Sequence, residues 1–209
     1  MKAKNLFLIK YNSTLIRGWD IFVAMAAFCN GFFLPYCITF RVEHELEYHL
    51  FLAVFVLDFL LRFRVTIFDK EAGDEITTPK DIALHYAKTL NFIFDLLAII
   101  PFAALFGKNH ILDYLQMLKL LSLSRVDINL GNSEIVKVLL RLMTILLTLT
   151  LYIHFSTCLI YTIAFPDRKW IPPNCIDQFD ADSFYSLKPA TQYLYTLYSS
   201  ILVLTGNEM

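Results

Sequence analysis

The sequence has almost no net charge: 18 lysines and arginines stand against 19 acidic residues, leaving −1. No global basicity argues for a nucleic-acid partner. The four cysteines (Cys29, Cys37, Cys158, Cys175) form no CxxC and have no histidine at zinc spacing, so they point to no metal site. Three of them lie in apolar runs, where thiols are usually buried and inert, and Cys175 lies in a polar loop. HExxH, GxSxG and a glycine-rich phosphate loop are all missing, so no enzyme class is supported. Lys2, Lys4 and Lys10 precede no short apolar region with a small-residue cleavage site, so no cleaved signal peptide is expected.

What is present is apolar. The chain is 57% hydrophobic with 19 phenylalanines, against roughly 45–50% apolar for soluble domains. Long apolar runs predict an all-α membrane protein. After a basic lead-in (1–18), spans are expected at 19–40, 46–68, 90–106 and 111–126, then a linker (127–133) and a long fifth span (134–165). The stretch 69–89 reads as a charged loop and 166–188 as a polar outer loop. Placing the N-terminus inside puts Lys2, Lys4, Lys10, Arg17, Arg62, Arg64, Lys70, Lys80, Lys88, Arg125, Lys137 and Arg141 on that side. Only Arg41, Lys108, Arg168, Lys169 and Lys188 face the other, which supports a cytoplasmic N-terminus. The sequon at Asn12 would then lie inside, unused.

The final helical stretch, 189–204, starts on Pro189 and stops at Gly206. It rises only about 24 Å, too short for a hydrocarbon core of about 30 Å. Its hydroxyls (Tyr193, Tyr195, Thr196, Tyr198, Ser199, Ser200) also set it apart from a lipid-facing span. Irregular backbone at membrane depth must be buried in protein or line water. The stretch therefore reads as a re-entrant pore helix followed by a filter at Thr205, Gly206, Asn207 and Glu208.

Ionisable groups inside spans need a partner or water. Asp58 and Asp95 are the embedded acids, while Arg62 and Arg64 are near enough to a span end to snorkel. Counting by threes along the fourth span gives Gln116, Lys119, Ser122 and Arg125, a polar stripe on which cations can pass fixed carboxylates. Only Lys119 and Arg125 carry charge. Two charges supply about half the leverage of a three- or four-charge sensor, so weak or absent voltage dependence is expected.

Several segments resemble a known family. Trp19-Asp20, Asn30, Leu34-Pro35 and Ile38-Thr39-Phe40 are similar to the first span of hyperpolarisation-activated channels. Asp58, Phe63-Arg64, Glu75-Ile76, Pro79-Lys80, Ile82, Tyr86, Asp95-Leu96 and Ile100-Pro101 resemble the wider cyclic-nucleotide-gated, hyperpolarisation-activated and ether-à-go-go group. His154, Cys158 and Tyr161 resemble the fifth span of cyclic-nucleotide-gated channels, with His154 a packing residue. The resemblance covers nearly the whole chain from Trp19 on.

It implies a four-helix voltage-sensor-like domain (19–126) followed by part of a pore domain (134–209), in a homo- or hetero-tetramer passing cations across a lipid bilayer. Asp58 and Asp95 would be the counter-charges of Lys119 and Arg125. The family's potassium filters end in Gly-Tyr-Gly, which is replaced here, so a non-selective cation filter is expected, with a ring of Glu208 carboxylates able to hold a cation transiently. A sixth span and a nucleotide-binding domain would follow residue 209, making this chain part of a longer protein. No cofactor is expected in this segment; a cyclic nucleotide would belong to that missing region. A non-conducting accessory subunit of a larger complex is the alternative.

Overall fold

The computed structural model describes residues 8–43, 45–68, 75–102, 105, 110–125, 134–168, 170–173 and 179–206. These are mostly helical: α1 (Thr14–Phe40), α2 (Glu45–Arg62), α3 (Pro79–Ala87), α4 (Leu90–Ile99), a 3₁₀ helix η1 (His110–Arg125), α5 (Glu134–Ala164), α6 (Ala181–Ser186) and α7 (Pro189–Leu204). Strands β1 (Ile67–Phe68) and β2 (Glu75–Ile76) form a small antiparallel pair with Ile67 opposite Ile76. The chain divides into two compact units, Met1–Gly31 with Glu45–Ile128, and Phe32–His44 with Asn129–Met209.

Among the described residues, α1 and residues Lys137–Ala164 of α5 are long and apolar enough to cross a membrane. Helices α3 and α4, bent by 84°, make a third candidate if taken together. The sequence reading expects five spans, and one of the differences has a physical cause in composition, while η1 differs in its winding. Helix α2 carries Glu45, Glu47, Asp58 and Arg62 within 18 residues, which lowers its apolar character. The 16 residues of η1 are wound as a 3₁₀ helix, whose rise of about 2.0 Å per residue makes it about 32 Å long.

In the first unit, the expected span 46–68 stops at Arg62 because the chain that follows is drawn into backbone pairing. Ile9 N–H donates to Arg64 O and Thr66 N–H to Ile9 O, both at 2.9 Å. The stretch 69–89, expected as a loop, contains α3: Thr78 is the extended N-cap and Pro79 takes the first turn, where its missing N–H costs nothing. Ile82 and Tyr86, one turn apart, are the buried face of α3. The Thr89 hydroxyl caps α4 by accepting from Phe92 N–H and donates to Tyr86 O at 2.7 Å, pinning the bend. Helix α4 ends at Ile99 because Pro101 pushes Ile100 into extended backbone (φ −76, ψ 120). It packs on α2 and η1.

In the second unit, α1 closes on Arg41, which adopts a left-handed φ of 55. Val42 N–H then reaches back to Cys37 O at 3.0 Å, satisfying a terminal carbonyl. Phe40, Cys158, Tyr161 and Phe184 form the core, and α5 packs on α7. Only 6% of the apolar window of α5 is buried. So much exposed hydrocarbon is stable only in lipid or against further protein.

Candidate functional site

Asp58 on α2 and Asp95 on α4 are both buried, and Lys119 on η1 lies between them. The ammonium donates to Asp58 Oδ2 at 2.7 Å and to Asp95 Oδ1 at 2.8 Å. These are short, charge-assisted bonds. The fully buried Phe55, one turn before Asp58, presents its ring 5.8 Å from Lys119 Nζ. Three sequence-predicted residues thus meet at one point.

Each carboxylate is also held by a second set of donors. Trp19 Nε1 and Arg62 Nη2 both donate to Asp58 Oδ1 at 3.0 Å. Arg62 bridges further to Asp20 Oδ1 at 2.5 Å. Tyr86 donates its hydroxyl to Asp95 Oδ2 at 2.5 Å. Arg62 therefore does not snorkel to water, and Trp19 is fastened to the network. Asp58 and Arg62 are one turn apart on α2, the order that helix geometry favours. Tyr86 reaches Asp95 because the α3–α4 bend folds it back, packed edge-on to Phe63 and Phe92 with ring centroids 5.3 and 5.5 Å away.

The three-residue period of a 3₁₀ helix stacks i and i+3 side chains directly in line, so Gln116 lies one turn from Lys119 on the same face. It meets α1: Asn30 Nδ2 donates to Gln116 Oε1 at 3.3 Å, with both residues buried. Among the described residues, Asn30 Oδ1 and Gln116 Nε2 find no partner. Arg125 ends η1, and its side chain lies outside what is described.

The second unit positions the short helix α7. Its buried residues Gln192, Thr196, Ser199 and Ser200 recur at helical spacing and form one polar face. Gln192 fastens the start of the helix: its amide donates to Tyr185 O at 3.0 Å and Leu187 O at 2.8 Å, and its oxygen accepts from the Tyr161 hydroxyl. Two turns from Tyr161 on α5, His154 does more than pack. Its Nδ1 shares a hydrogen bond with the Tyr193 hydroxyl at 3.0 Å, and its ring lies 4.8 Å from that of Phe32. Helix α7 then ends as expected: Thr205 caps it, and Gly206 takes a left-handed φ of 71 that suits glycine. Asn207 and Glu208 lie outside the described residues.

A family model described as "Ion transport protein" matches residues 16–209. The chain belongs to the ion transport protein family. Three relatives place it within the group. The voltage-gated delayed rectifier potassium channel KCNH8 of Mus musculus is 32% identical over 114 residues, 51% of this chain and 10% of that protein. Potassium channel KOR1 of Oryza sativa subsp. japonica is 26% identical over 225 residues, covering 95% and 25%. The cyclic nucleotide-gated channel cone photoreceptor subunit alpha of Gallus gallus is 24% identical over 225 residues, covering 97% and 28%. The chain thus spans between 10% and 28% of the length of these relatives.

Family membership and its apolar helices make this ion transport protein an integral membrane protein of the voltage-gated-like channel superfamily. Trp19, Asp20, Arg62 and Tyr86 are the members of the buried charge network that sequence reasoning did not assign. The Asp58–Arg62 spacing was a readable signal for one of them. Nothing local marked Tyr86 as a ligand of Asp95, or Gln192 as the anchor of α7.

Proposed function

We propose that this ion transport protein is a pore-forming subunit of a tetrameric, non-selective cation channel with a weak voltage sensor. In this reading the first unit is the sensor-like domain and α5 with α7 belongs to the pore, entered from the outside. The observation that carries it is α7. It is 16 residues long, too short to cross hydrocarbon, has its polar face buried, and ends on a left-handed glycine where a filter would begin. Without a tyrosine-braced run of carbonyls after Gly206, cation preference would rest on a ring of Glu208 carboxylates. Lys119, ion-paired with Asp58 and Asp95, supports the sensor assignment, and the neutral Gln116 one turn away accounts for its weakness.

The test is reconstitution of the full-length protein in planar bilayers under bi-ionic conditions, comparing wild type with Glu208→Gln. Cation currents with similar sodium and potassium permeability are expected, with divalent block weakened in the variant. Strong potassium selectivity would overturn the filter assignment, and silence of a correctly assembled protein would favour a non-conducting accessory subunit.

A further inference from the structure

Two arginines outside the buried charge network converge on one aromatic ring in the second unit. Arg41 directly follows α1, and Arg168 lies just beyond the end of α5. Their guanidinium carbons stand 4.5 and 5.1 Å from the centre of the Phe165 ring. Tyr185 fixes the turn that carries Arg168: its ring packs edge-on to Phe165 at 5.8 Å, and its hydroxyl donates to Trp170 O at 2.9 Å. Both arginines are exposed, and among the described residues neither makes an ion pair, even with the nearby exposed acids Glu43 and Asp167. Arg41 and Arg168 are also the described non-glycine residues with a left-handed φ, 55 and 48. Such backbone is uncommon outside glycine and clusters at functional sites. Two like charges brought to one ring repel each other, and an anion shared between them removes that repulsion.

We infer that Arg41 and Arg168 form a seat for the phosphate of an anionic phospholipid at the outer end of α5; the outward placement rests on the orientation proposed above. Guanidiniums hold phosphate through paired, charge-assisted hydrogen bonds. A guanidinium stacked on a ring keeps its N–H edge for such a ligand. The acyl chains also have a place. Leu159 and Ile163, one turn apart on α5, are 60% and 70% exposed, and hydrocarbon laid along them takes that apolar surface out of water. A free phosphate ion meets the two cations but gains nothing from this stripe. The headgroup must carry net negative charge because two cations face it. A zwitterionic lipid brings a cation of its own to the same place.

The test is the thermal midpoint of the full-length protein in detergent micelles, titrated with phosphatidylglycerol, with phosphatidylcholine of the same acyl chains, or with inorganic phosphate. Phosphatidylglycerol should raise the midpoint, reaching half its effect at a concentration about tenfold lower than phosphatidylcholine. Arg41→Gly and Arg168→Gly remove the guanidiniums while suiting the left-handed backbone, so both variants should fold. Each should raise the half-effect concentration of phosphatidylglycerol about tenfold, and the double variant should treat the two lipids alike. Lys137→Gln, the same loss of charge at the other end of α5, should change nothing. Equal weakening by Lys137→Gln would reduce the effect to net charge and overturn the seat. Arginine variants that keep the wild-type preference for phosphatidylglycerol would also overturn it. Inorganic phosphate as effective as phosphatidylglycerol would overturn the lipid as occupant. If the glycine variants fail to fold, Arg41→Lys and Arg168→Lys, which keep the charge but lose the planar fork, should show an intermediate preference. Full wild-type preference in both would overturn the seat. The midpoint needs no current, so a silent protein that keeps the preference would overturn the pore reading and leave the seat standing. A conducting protein without the preference would do the reverse.

Discussion

Lys119 holds together two acids that would repel each other without it. An ion pair out of water gains little net stability, because desolvation offsets attraction, but removing one partner leaves the other charge stranded. Lys119→Met should therefore cost about 3–5 kcal/mol, read as a large drop in the thermal midpoint of the purified protein. Adding Asp58→Asn to that variant should recover part of the loss, since one stranded charge disappears. Arg62 sits at the edge of the network, where its side chain is 14% exposed. Arg62→Gln should be milder than Lys119→Met in the same assay. Equal losses would mean that the two cations are equally enclosed.

At the scale of elements, the short helix α7 is held at its start by one side chain. Gln192 makes three hydrogen bonds, two to backbone carbonyls of the approach and one from Tyr161 on α5. Gln192→Leu removes all three and takes the donor from two part-buried carbonyls, at up to about 1–3 kcal/mol each. The expected result is a channel that assembles poorly or passes currents of altered selectivity. Tyr161→Phe breaks only the bond to α5 and should retain most of the current. Gly206→Ala asks a side chain to adopt a left-handed φ of 71, at about 1–2 kcal/mol. Among the described residues no heavy atom beyond the chain neighbours lies within 4 Å of the added Cβ, so the cost is chiefly backbone strain, measurable as a reduced thermal midpoint.

At the scale of the whole molecule, voltage sensitivity follows the number of charges that move. A full elementary charge contributes about 2.3 kcal/mol per 100 mV, and steep sensors carry three or four per subunit. With only Lys119 and Arg125 on the ladder, the conductance–voltage curve should be at most about half as steep as that of a four-charge channel. Gln116→Arg, which adds a cation on the Asn30 side, should steepen it. A slope unchanged by Gln116→Arg would show that this position does not cross the field.

Much of this was legible in sequence, and the part that was not has a common cause. Residue order determined the short helix between Pro189 and Gly206, because proline and glycine act through local backbone geometry. It determined the embedded acids and the three-residue stripe, because a charge in an apolar run needs a partner wherever it sits. The start of α3 at Pro79 was equally local, yet the charged composition around it masked the helix. Only the tertiary structure decided which partners each group took. Asp20 reaches Arg62 across 42 residues of chain, Asn30 meets Gln116 across 86, and His154 meets Tyr193 across 39. Pattern within one segment carries no information about such pairings, which follow from which helices pack together and in what rotation.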